Sequence, residues 1–89
     1  RKLAPYSSFR GINFLVKTKP ENFEFLKIYN VNGELVVEYY PNYISLAGDN
    51  LLIQWDVKNK YGREAASAIY FYVLKTKTQR FTGKLGVVK

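Results

Sequence analysis

The groups that could do chemistry in this 89-residue chain are its seven carboxylates, Glu21, Glu24, Glu34, Glu38, Asp49, Asp56 and Glu64. Glycoside hydrolysis needs two of them facing each other across a cleft, about 5 to 9.5 Å apart. Their positions give no sign of convergence, because most fall at turns or at outward positions of strands. The chain contains neither cysteine nor histidine. That excludes thiol nucleophiles, thiolate metal sites, disulfides and imidazole bases together. Ser7, Ser8, Ser45 and Ser67 lack a histidine partner and read as plain hydroxyls. Segment 56–62, Asp-Val-Lys-Asn-Lys-Tyr-Gly, has the outline of a calcium loop, but Lys58 and Lys60 stand where oxygen ligands belong. Asp56 and Asn59 are expected instead to bond the loop's own backbone, with Gly62 near its end. The residues therefore predict no enzyme, no metal and no cofactor.

Binding chemistry is better supplied. The formal charge is +7 and aromatic residues make up 17% of the chain, with eight tyrosines and six phenylalanines. Such a balance favours anionic partners, a surface glycan or nucleic acid among them. The lysines are scattered rather than blocked, so the plainer reading is that they keep exposed strands soluble. No ribonucleoprotein signature, phosphate loop or zinc spacing is present. Any nucleic-acid binding is therefore expected to be non-specific. Trp55 and the tyrosines admit a stacking platform for a glycan or a base; the competing reading places Trp55 in the core beside its loop.

The elements that must position these residues are strands. Tyrosine and phenylalanine suit a pleated, half-buried surface, and helix-period stretches are hard to find. The first run covers 12–18, with Ile12, Phe14 and Val16 on one face. A second covers 23–31 with Leu26 and Ile28 inward and Lys27 outward. Asn32-Gly33 then predicts a tight hairpin turn, since both residues tolerate positive φ. A third run, 34–40, stops at Pro41. A short strand is expected near 43–46, another over 51–55, and a polar loop over 56–64. Run 67–76 is apolar on both faces, as in a central strand covered on both sides, and 80–88 closes the series after a turn at Thr78-Gln79. Leu26, Ile28, Val36, Leu52, Ile69, Phe71 and Leu85 are the expected core. Six or seven short strands in one domain, residues 1–89, read as an antiparallel β-sandwich.

Several segments carry a family resemblance. Residues 26–36, Leu-Lys-Ile-Tyr-Asn-Val-Asn-Gly-Glu-Leu-Val, resemble the second-strand, turn and third-strand signature of the immunoglobulin-like domain of flagellar hook-capping proteins. The related carboxy-terminal sorting domains of type IX secretion cargo share it. Trp55-Asp56, Asn59, Gly62, Ala66-Ser67, Ile69-Tyr70-Phe71-Tyr72 and Leu74 are similar to the family's tryptophan–aspartate pair, polar loop, glycine and tyrosine-rich strand. Residues 83–89 resemble its basic-then-aliphatic last strand, and 5–14 its proline-led first one. The chain departs from the pattern at Val57 and Ala68, where the family usually has glycine, and at Ala4-Pro5, where it has asparagine–proline.

The resemblance implies an immunoglobulin-like (fibronectin III-like) fold of about seven strands. It also implies a carboxy-terminal module of an exported bacterial protein, often a hydrolase, located outside the cell or on its surface. Protein partners follow from it, either the secretion machinery or the parent's own domains. The partner-facing part is then the last strand, with Lys84, Leu85, Val87, Val88 and Lys89. The chain has no methionine and no apolar run near the roughly 20 residues a transmembrane helix needs. It is accordingly expected to be a piece of a longer protein whose export signal lies upstream. The other readings are a glycan-binding accessory domain using Trp55 and exposed tyrosines, and a hook-cap assembly domain.

Overall fold

The structure, a computed structural model, describes residues 12–41, 45–47 and 50–88. Its described residues form seven strands in two antiparallel sheets. Strand β1 (Ile12–Val16), β4 (Ser45–Ala47) and β5 (Asn50–Trp55) make a three-stranded sheet in the order β1-β5-β4. Strands β2 (Phe23–Tyr29), β3 (Leu35–Tyr39), β6 (Ala68–Thr76) and β7 (Arg80–Val87) make a four-stranded one in the order β3-β2-β6-β7. A 3₁₀ turn, Pro20–Asn22, carries the chain from the first sheet to the second. Proline's fixed φ suits the start of that turn.

The core lies between the sheets and follows from period-two alternation. On one side Ile12 pairs with Trp55, Phe14 with Ile53 and Val16 with Leu51, so each pair points the same way. On the other, Leu26 sits between Tyr39 and Leu74, and Ile28 between Val37 and Tyr72. Leu26, Ile28, Leu51, Ile53 and Trp55 are fully enclosed. Two edge-on ring contacts join the sheets, Phe14 to Tyr72 with centroids 5.3 Å apart and Trp55 to Tyr70 at 5.4 Å.

Three expected core residues lie elsewhere. Ile69 and Phe71 are 44% and 42% exposed, while Tyr70 and Leu74 on the opposite face of β6 are buried. Both faces of that strand are apolar, so alternation left its orientation open. The inward face is the one whose tyrosines meet Trp55 and Phe14. The outer face of this central strand is not covered among the described residues. Leu52 is half-buried on the outer face of β5, opposite Leu15, because Leu51, Ile53 and Trp55 take the inner positions.

The β2–β3 turn also differs from the expected two-residue hairpin. Asn30 organises it: its Oδ1 accepts from the backbone N–H of Asn32 and of Glu34, and its Nδ2 donates to Glu34 Oε1. Gly33 supplies the positive φ, +80°. A side-chain oxygen reaching two backbone donors favours a five-residue turn over the tighter one.

Candidate functional site

Strand β7 is one edge of the four-stranded sheet, pairing with β6 from Lys75↔Arg80 to Ala68↔Val87. Among the described residues no strand pairs with its other side. The β6–β7 turn is held by Thr76, which is buried. Its N–H donates to the Gln79 carbonyl at 2.9 Å, and its hydroxyl accepts from the Gln79 N–H at 3.0 Å. Gly83 is required by a close approach: a Cβ there would stand 2.6 Å from the Tyr72 hydroxyl and 2.7 Å from its ring. Tyr72 thus lies close over β7 at Gly83 and also makes the edge-on contact with Phe14.

This geometry divides the residues expected to face a partner. Leu85 and Val87 point into the core and are buried, so they anchor β7 and present no side chain outward. Lys84 lies on the outer face opposite Phe71, exposed, in a row with Arg80, Thr82 and Gly86. Val88 is 92% exposed just beyond the strand; Lys89 lies outside the described residues. What β7 offers is its free backbone edge and the cations of its outer row. Arg80 joins the set because the register puts it on the same face as Lys84, an alternation already visible in the sequence.

The loop after β5 is the second region singled out by sequence. Trp55 is fully buried and its indole N–H donates to the Lys58 carbonyl at 2.9 Å. It presents no ring to a sugar or a base, which corrects the platform reading of this residue. Asp56 Oδ1 accepts from the Lys58 N–H at 3.2 Å. Asn59 Oδ1 accepts from the N–H groups of Tyr61 and Arg63, and Gly62 takes φ +83°. The same arrangement occurs at Asn30: in both turns the glycine N–H donates back to the asparagine carbonyl. The repeated Asn-x-x-Gly spacing was the missed signal. Val57 adopts φ +60°, left-handed backbone that is costly for a β-branched residue. The loop then reaches across to the far edge of the other sheet, where the Lys60 N–H donates to the Val36 carbonyl at 2.8 Å.

The carboxylates do not converge among the described residues. Glu24, at a bulge in β2, pairs with Lys75 at 3.3 Å. Glu38 accepts from the Tyr40 hydroxyl at 2.7 Å. That bond is the main reason the Tyr40 phenol titrates above its ordinary range. Burial, and then the Asp56 carboxylate, push the Tyr39 phenol up from 10.0 to about 12. No group of three metal-ligating side chains occurs among the described residues, and none of their helices is long and apolar enough to cross a membrane.

No family model, curated protein or solved structure matches the chain.

Proposed function

We propose that the chain is a non-catalytic, immunoglobulin-like interaction module that directs an exported bacterial protein to the cell surface and is recognised through β7. The observation that carries the reading is the eight-residue edge strand, unpaired on one side among the described residues and lined by Arg80 and Lys84. Sheet edges of this kind accept an added strand from a partner.

Three features support the immunoglobulin-like assignment. The sheet orders β1-β5-β4 and β3-β2-β6-β7 correspond to strands B-E-D and C′-C-F-G of that fold. Tyr70, near the start of β6, donates its hydroxyl to the Ala66 carbonyl four residues upstream at 2.7 Å, as a tyrosine corner does. Val57, where the resembling family carries glycine, has the positive φ that glycine adopts freely.

The test is a secreted reporter fused to the chain in a bacterium with a type IX secretion system. The expected result is reporter on the cell surface, and periplasmic retention of an Arg80→Glu, Lys84→Glu variant that stays protease-resistant. Retention of the intact, folded fusion in the periplasm would overturn the proposal.

A further inference from the structure

We infer that the β7 edge takes an extended peptide strand carrying two carboxylates four residues apart, with apolar residues at the positions between that face the core. The inference rests on β7 being the recognised strand and adds the chemistry of what docks there.

The sheet edges that no strand pairs among the described residues are not equivalent. The β3 edge is met by the loop through the Lys60 N–H to Val36 carbonyl bond. Strand β4 is three residues long, and β1 carries no charged residue from Ile12 to Val16. Only β7 among them combines length with a charge pattern. Its outer row reads Arg80, Thr82, Lys84, Gly86, all exposed. Its inner row holds Leu85 and Val87 in the core and Phe81, 45% exposed, at the rim. A strand laid beside it places side chains opposite each of these, and opposite charges there are favourable while like charges are not. Carboxylates therefore belong opposite Arg80 and Lys84, and apolar side chains opposite Phe81, Gly83 and Leu85. The neighbouring cation Lys75 is engaged by Glu24 at 3.3 Å, whereas Arg80 and Lys84 make no ion pair among the described residues.

Charge also selects among occupants. A second copy pairing β7 with β7 antiparallel about Thr82 would set Arg80 of each chain against Lys84 of the other. The chain's own residues 1–11 contain Arg1, Lys2 and Arg10 and no acid. Both place like charges together. The β3 edge of a second copy does carry Glu34 and Glu38 four residues apart, but it is already met by the Lys60 N–H at Val36, so the occupant is an acidic strand from another protein.

The test uses the whole chain and a synthetic peptide of about nine residues, Thr-Val-Glu-Val-Thr-Val-Glu-Val-Thr, read by amide shifts and hydrogen exchange. Comparison peptides carry lysine for glutamate, the same composition with the glutamates adjacent, or N-methylated alternate amides. At roughly 0.15 M salt, the glutamate peptide is expected to bind saturably and slow exchange along 80–88. The Arg80→Glu, Lys84→Glu variant should weaken it about tenfold and bind the lysine peptide instead. Equal binding of the adjacent-glutamate or N-methylated peptides would reduce the effect to anion attraction and overturn the inference. Perturbation centred elsewhere, no binding, or a free chain whose edge amides are already protected would overturn it too. Since no secretion machinery is involved, this outcome is separate from that of the export test.

Discussion

Tyr70 stands edge-on to Trp55 across the two sheets, with ring centroids 5.4 Å apart and ring planes at 75°. Each ring is buried, and each spends its single polar hydrogen on a nearby backbone carbonyl, Tyr70 on Ala66 and Trp55 on Lys58. The pair thus ties both ends of the β5–β6 connection to the core. Tyr70→Phe keeps the ring contact and removes one bond, so a loss of about 1 kcal/mol is expected. Denaturant unfolding followed by the fluorescence of Trp55, the single tryptophan, measures it. An unchanged midpoint would mean that the bond does not hold the connection.

The inward face of β6 can be tested by truncation. On this strand Leu74 is 4% exposed and Ile69 44%. Leu74→Ala should cost about 2–5 kcal/mol, and Ile69→Ala less than about 1 kcal/mol. Equal losses at the two positions would reverse the assignment of faces.

Val57 provides a backbone test. Left-handed backbone at a non-glycine residue costs about 1–3 kcal/mol. Val57→Gly relieves that cost, while forfeiting a half-buried side chain and adding freedom to the unfolded chain. The terms nearly cancel, so its stability should lie within about 1 kcal/mol of the parent. A valine-to-glycine loss at Val57 as large as that at buried Val36 would show that the strain is absent.

Alkaline pH should act through Tyr39. Its phenol is raised from 10.0 to about 12 in the folded chain, chiefly by burial. Between those values the unfolded chain has released a proton that the folded one still holds, so stability falls as pH rises. The contribution is intact below pH 10 and lost by about pH 12. Solvent screening of the half-exposed ring reduces it to on the order of 1 kcal/mol. Unfolding curves from pH 9 to 12 should fall less steeply for Tyr39→Phe than for the parent, and parallel curves would exclude the effect.

Strand positions and the loop were largely legible in the sequence, because alternation and turn residues act locally. Asn13 beside Phe14, and Lys27 between Leu26 and Ile28, supply the polar contrast that orients β1 and β2. Asn59 and Gly62 announce a turn by their own backbone preferences. The Asn30 turn was equally local, but its determinant lies two residues before the Asn-Gly pair that drew the prediction.

What alternation could not decide was any strand apolar on both faces. In β6, Ile69-Tyr70-Phe71-Tyr72 offers two nearly equivalent surfaces, and hydrophobic burial has no direction of its own. The choice came from residues far away in sequence, Trp55 and Phe14, whose rings receive Tyr70 and Tyr72 across the core. Tertiary structure likewise decided that Leu85 and Val87 anchor β7 while Arg80 and Lys84 face outward along an edge unpaired among the described residues. Strand order alone makes β7 an edge, and strand order is set by pairing between distant segments rather than by the residues of the strand itself.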